Sequence, residues 1–292
     1  MSRNVAIAGA TGHLGQHLTN ILLSPTYRSS FASIIVLTRQ DPKSSQLLSK
    51  WQSSGAQIRS YDSDNMASSL SGIDVLINAI GSTGHDMKDK IASALPSTDV
   101  KIYLPSEFGV DHTVHDFPLP EWDYKKSHAA GVYCGLFMED SIAHWFGFGV
   151  PEKGRYESVG GKETPVAFTS LDDVGRAVAV LCAMPAEDVP EEVHLAGDNV
   201  SMAGIAALME AAGGGEIGVE EVELQPYKER FVKSGEKKPS HYLRFLMGEG
   251  KIDHSGNGML SNENDVVNPG ETKWKWKTMK DWATETHGTG TL

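Results

Sequence analysis

Two textures alternate along the first hundred residues. Short apolar runs rich in β-branched residues, Val5–Ala8, Ile34–Thr38, Gln57–Ser60, Asp74–Asn78 and Val100–Leu104, each end in small or turn-forming residues. Between them lie longer stretches with apolar positions at helical spacing: His13–Leu23, Ser44–Trp51, Met66–Leu70 and Asp86–Leu95. Runs that are apolar on both faces and separated by helices predict strands covered from both sides, the condition of a parallel sheet. The expected class is α/β, a doubly wound domain.

Past Val150 the rhythm changes, which places a domain boundary there: 1–150 against 151–292. Leu171–Leu181 reads as a buried helix, with Asp172 and Asp173 in the first turn where the helix dipole favours anions. Glu192–Ala196 has a strand's pattern. Ser201–Ala212 predicts an amphipathic helix capped by Ser201 and stopped at Gly213-Gly214-Gly215. Lys228–Asn264 shows no sustained strand pattern and is expected to form helices or loops over a second lobe. In Lys273-Trp274-Lys275-Trp276-Lys277 the alternation predicts, for a strand, both tryptophans buried on one face. Val132–Trp145 suits either core or a pocket wall.

Composition narrows the function. With 26 Lys+Arg against 38 Asp+Glu, the net charge of −12 argues against nucleic acid or an anionic membrane as partner, since both require a basic surface. No apolar run approaches the ~18 residues of a membrane span. The opening residues read as a strand rather than a signal peptide. Cys134 and Cys182 are the only cysteines, too few for a disulfide framework or a thiolate metal site. A soluble, cytoplasmic protein is expected.

Gly9-Ala10-Thr11-Gly12-His13-Leu14-Gly15 follows the first strand and opens the first helix. In such a junction Gly9 permits the tight turn, Gly12 lets backbone approach a pyrophosphate, and Gly15 allows the helix to pack on the sheet. The helix N-terminus supplies N–H donors and a positive dipole end. This strand–turn–helix arrangement predicts dinucleotide binding. At the end of the second strand, where an acidic residue would read the ribose hydroxyls of NAD, stands Thr38-Arg39. A guanidinium suits a 2′-phosphate, and Lys43 is a second candidate cation, so NADP is the expected cofactor. Asp111-His112-Thr113-Val114-His115-Asp116 has residue types found in metal sites. It sits in a Pro-rich loop with no partner cluster, so no metal is expected; these histidines line a substrate cleft or a solvated loop.

Together with the glycine turn and Thr38-Arg39, two further motifs carry a family resemblance: Asn78-Ala79-Ile80-Gly81 and Leu104-Pro105-Ser106-Glu107-Phe108-Gly109. The chain resembles the NmrA-like, isoflavone-reductase-like family of atypical short-chain dehydrogenases. The resemblance implies a Rossmann-type NADP domain, a smaller C-terminal substrate lobe with segments returning to the first domain, and a cleft between them. It places Ala79, Ile80, Gly81, Ser106, Glu107 and Phe108 beside the cofactor. It also implies an active-site lysine after the Pro-Ser-Glu-Phe-Gly loop, three positions beyond an aromatic residue. Trp122-Asp123-Tyr124-Lys125 matches, so Lys125 carries that role, with Lys126 as competitor. None of the eight tyrosines has a lysine four residues later, so the ordinary Tyr-x-x-x-Lys chemistry is not expected.

The resemblance implies a longer helix after Lys125 than Glu121–Gly131 provides. A helix spanning the ~17 Å of a strand needs ~11 residues, and no apolar stripe runs through this segment. A deletion of roughly ten residues near Ala129-Ala130-Gly131 is the expectation. Two functions remain open: an NADPH-dependent reductase of a small aromatic or apolar molecule, and a non-catalytic NADP-binding regulator of the NmrA type.

Overall fold

The computed structural model describes residues 2–39, 45–81, 84–117, 131–142, 149–150, 155–236 and 238–291. Five strands, β1 (Arg3–Ala8), β2 (Phe31–Thr38), β3 (Ala56–Ser60), β4 (Val75–Asn78) and β5 (Ile102–Leu104), form one parallel sheet in the order β3-β2-β1-β4-β5. Helices α1 (His13–Leu23), α2 (Ser45–Ser53) and α3 (His85–Ala94) and a single turn at Met66–Ser69 occupy the crossovers. Ala6, Ala8, Ile35, Leu37 and Leu76 belong to one buried cluster with Met66, Leu70, Ile73 and Ile91. Val5, Ile7, Ile34, Val36, Val75 and Ile77 alternate with them along the strands and are equally buried. Both sheet faces are covered, which is why the strands read as continuous apolar runs.

A fourth helix, α4 (Leu171–Ala183), joins this layer from far along the chain. Gly175 allows its approach to α1, since a Cβ there would stand 2.8 Å from the Ile21 side chain. Arg3 ties the end of this helix to β1, donating to the carbonyls of Cys182 and Met184.

The chain divides into two compact units, Met1–Ser106 with Val174–Glu191, and Glu107–Asp173 with Glu192–Leu292. The division therefore falls after β5 rather than at residue 150, and the second unit holds the longer share of the chain. The physical reason is strand pairing. β6 (Gly131–Tyr133) pairs with β11 (Glu192–His194), while β7 (Leu136–Phe137) pairs with β10 (Val166–Thr169), so residues 131–137 are built into the second unit. β10 also pairs with β12 (Asp198–Val200). A third sheet joins β8 (Gly149–Val150), β9 (Arg155–Val159) and β13 (Gly218–Val222).

Helices α5 (Met202–Ala211), α6 (Leu224–Ser234), α7 (Pro239–Gly248) and α8 (Met279–Glu285) complete this unit. Ser201 caps α5 by accepting from Gly204 N, and Thr278 with Asp281 forms a capping box on α8. Leu136, Met138 and Ile142 join Phe168, Phe245 and Trp282 in the core, while Phe137, Glu139 and Asp140 between them are half-buried. The Trp274 and Trp276 rings do meet, with centroids 5.2 Å apart, but among the described residues their segment pairs into no sheet. Hydrogen bonds from Lys277 N to Asp173 and from Met279 N to Asp198 hold the backbone beyond Trp276 instead of a ladder.

Candidate functional site

The sheet order reverses at β1, whose neighbours β2 and β4 lead outward in opposite directions. Crevices for ligands form at the carboxyl ends of strands at such a point. There the chain turns sharply after Ala8. Gly9 adopts φ +80°, and a Cβ on it would lie 2.6 Å from the Ala79 carbonyl carbon. Gly12 N donates to Gly9 O at 2.9 Å and Gly12 then serves as N-cap of α1. At Gly15 a Cβ would meet Gly9 O at 2.2 Å, so only glycine lets the helix start this close to the turn.

Gly12 differs from both: its φ is −72°, and its nearest neighbour to a Cβ would be Gly9 O at 3.2 Å. A Cβ there asks Gly9 O to give by a few tenths of an ångström, far less than at Gly9 or Gly15, and its absence leaves the first turn of α1 open. That turn carries no acidic residue, so the positive end of the helix is uncompensated within its own first turn.

The β4 end is braced from two directions. Asn78, buried, accepts from Ile80 N (3.2 Å) and donates to the Tyr103 hydroxyl (2.9 Å), and Ala79 N donates to Ala8 O. Ser106 Oγ donates to Ile80 O at 2.7 Å. This Ser106 acts on the loop rather than lining the pocket beside it.

A pocket of about 610 Å³ opens between these elements, within the volume range of small-molecule and cofactor sites. Gly9, Thr11 and Gly12 line it from the turn, Arg39 from the end of β2, and Ala79, Ile80 and Gly81 from the end of β4. Ala10, His13, Leu14 and Gly15 build the turn and helix start without lining the pocket. Sequence reasoning missed Tyr61, Met66, Asp86, Met87 and Lys90, which also line it. Tyr61 follows β3 and its N–H donates to Thr38 O at 2.9 Å. Burial pushes the Tyr61 phenol pKa up, and the charge of nearby Arg39 pulls it back down in part. The signal for Tyr61 was available, because it stands at a strand's carboxyl end like Arg39.

Lys43, Lys125 and Lys126, and the expected deletion at Ala129-Ala130, lie outside the described residues. Glu107 and Phe108 belong to the second unit. There Glu107 is buried with its carboxylate 3.9 Å from His112 Nε2. The histidine segment forms a 3-10 turn, His112–Val114, capped by Asp111, which accepts from both Thr113 N and Thr113 Oγ1. Burial works against the Asp111 carboxylate, but hydrogen bonds from His194 and Thr113 prevail and hold its pKa below the ordinary range. Among the described residues no group of three or more His, Cys, Asp and Glu side chains could hold a metal ion, and no helix is long and apolar enough to cross a membrane.

Residues 1–128 match the model of the NmrA-like family. An NmrA-like family domain-containing oxidoreductase of Gibberella moniliformis is 26% identical over 275 residues, covering 86% of this chain and 90% of that protein. A phenylcoumaran benzylic ether reductase of Pinus taeda is 26% identical over 196 residues, a match that spans 59% of this chain and 62% of the pine protein. Among solved structures, a Vitis vinifera leucoanthocyanidin reductase bound to NADPH superposes with a TM-score of 0.73 at 17% identity, over 97% of this chain and 99% of that one. At that identity the likeness is one of fold.

Proposed function

Because the chain belongs to the NmrA-like family, we propose that it is an NADPH-dependent reductase of a small aromatic or apolar molecule. The observation that carries this reading is the pocket at the sheet's reversal point, where an open helix N-terminus and an Arg39 side chain face one space. The residues fit the cofactor: side chains at Gly9 and Gly15 would collide with backbone, and the bare Gly12 leaves room for phosphate at the N-terminus of α1. On this reading the Gly9–Gly15 turn holds the pyrophosphate, and Arg39 with Lys43 takes the 2′-phosphate. Ala79, Ile80 and Gly81, braced by Ser106, flank the dinucleotide. Bound there, NADPH supplies a hydride.

We assign Lys125 the proton that the substrate oxygen needs as negative charge develops on it. A lysine suits that task where partial desolvation draws its pKa toward working pH. The pine relative, by its name, reduces a benzylic ether, which supports an aromatic substrate class. The acidic charge and two buried free cysteines support a cytoplasmic location.

Anaerobic NADPH oxidation by the purified protein over a panel of aromatic ketones, enones and benzylic ethers, with Lys125→Ala as control, tests the reading. Turnover that depends on Lys125 is expected. Tight NADPH binding with no turnover on any panel member would overturn it in favour of a regulator that senses NADP without catalysis.

A further inference from the structure

Four residues of α3 line the pocket: Asp86, Met87, Lys90 and Ile91. Their spacing, i, i+1, i+4 and i+5, is that of one helical face. Met87 and Ile91 pack toward the sheet's buried cluster, Ile91 being only 1% exposed, while Asp86 and Lys90 stand at the solvent-exposed rim. An aspartate four residues before a lysine ordinarily forms a surface ion pair. Here the two do not pair, and among the described residues Lys90 has neither an ion-pair nor a hydrogen-bond partner.

Arg39 is in the same position. Its charge registers on the Tyr61 phenol, yet no carboxylate pairs with it among the described residues. The pocket thus combines an apolar floor of Leu37, Met66, Ile80 and Ile91 with two unpaired cations on two different elements. A flat, neutral base suits the floor. The cations call for an anion of more than one charge, and a phosphate monoester carries close to two at neutral pH.

We propose that Lys90 is a specificity-determining residue, reading the ribose 2′-phosphate of the dinucleotide from α3 while Arg39 reads it from the end of β2. The inference rests on the cofactor reading given above and adds to Arg39 and Lys43 a further cation, on α3, that no glycine or strand-end motif points to. Being a flexible point charge, Lys90 contributes electrostatic attraction without the geometry of a guanidinium fork, so arginine substitutes for it and a neutral side chain of similar length does not.

Dissociation constants of NADPH and NADH for the wild-type protein, Lys90→Met and Lys90→Arg, read by isothermal titration at low and at physiological salt, test this without recourse to turnover. Lys90 is exposed, and circular dichroism is expected to show Lys90→Met folded as wild type. The methionine variant is expected to bind NADPH about tenfold more weakly and NADH within twofold of wild type, with a smaller loss of NADPH affinity on adding salt. The arginine variant is expected to keep wild-type affinity for both. Equal losses of NADPH and NADH in Lys90→Met, or none, would overturn the assignment while leaving the cofactor reading intact. A wild-type protein that binds neither nucleotide would overturn both.

Discussion

The glycine turn offers a paired substitution in which fold and cofactor binding are expected to separate. Gly15→Ala adds a methyl group whose position lies 2.2 Å from Gly9 O and 2.8 Å from Ala10 Cα, both backbone atoms with no rotamer to yield. Relief requires the helix or the turn to move by roughly 1 Å, and overpacking of this kind costs about 1–3 kcal/mol or somewhat more. Alanine's better helix propensity returns about 1 kcal/mol. Because both clashing atoms are backbone, the upper end of that cost applies, and the net expectation is a loss of about 2 kcal/mol, which for a chain of this size lowers Tm by roughly 5 °C.

Gly12→Asp behaves in the opposite way. At φ −72° the backbone accepts a side chain, and aspartate is a favoured N-cap residue, so stability is expected to stay within about 1 kcal/mol of wild type. Its carboxylate, however, occupies the mouth of the helix. At ~4 Å and an effective dielectric near 20, its repulsion of a phosphate is about 4 kcal/mol, or a factor on the order of a thousand in Kd. Differential scanning fluorimetry and NADPH titration on both variants read the two effects independently. A Gly15→Ala protein as stable as wild type, or a Gly12→Asp protein that still binds NADPH tightly, would refute the division of labour assigned to these glycines.

Arg39→Ala is expected to weaken NADPH by about 1.5–3 kcal/mol, the worth of hydrogen bonds to a charged group, and NADH hardly at all; equal losses in a titration would remove Arg39 from the 2′-phosphate. Lys125→Ala is expected to lower kcat by ~10²-fold or more with little change in NADPH affinity, whereas Lys126→Ala stays nearly silent; similar small effects from both in steady-state assays would break the assignment. His254 gives a pH dependence. Its ring is fully buried, one nitrogen 3.0 Å from Leu195 O and the other without a partner, and burial above all pushes its pKa down to about 4. The unfolded chain takes up this proton near pH 6.5 and the folded one only near 4. The histidine's contribution is therefore complete above pH 6.5 and is lost as pH falls toward 4, by ~3 kcal/mol. Urea unfolding across this range is expected to show a shallower acid loss for His254→Leu than for wild type, and equal slopes would contradict it.

Much of the first unit was legible in the chain itself. His13–Leu23 was expected as a helix and is one, and each of the five strands lies within three residues of its expected start. A parallel strand buried on both faces and a helix buried on one leave patterns that are local, so neighbouring residues suffice to read them. The glycine turn was legible for the same reason, because strand, turn and helix follow one another without interruption.

What tertiary structure alone decided is non-local. Residues 131–137 carry apolar patterns that suit either unit, and only their pairing with Glu192–His194 and Val166–Thr169 assigns them to the second. Trp274 and Trp276 alternate as a strand would, yet among the described residues no strand pairs with them, and only Trp276 is buried while Trp274 stays half-buried. Tyr61 and Lys90 are ordinary residues in their own segments, one after a strand and one on a helix. Tyr61 comes beside Arg39 because β3 pairs with β2, and Lys90 lines the same pocket because only β1 stands between β2 and β4; strand order is set by which apolar faces can be buried together rather than by any pattern within a segment.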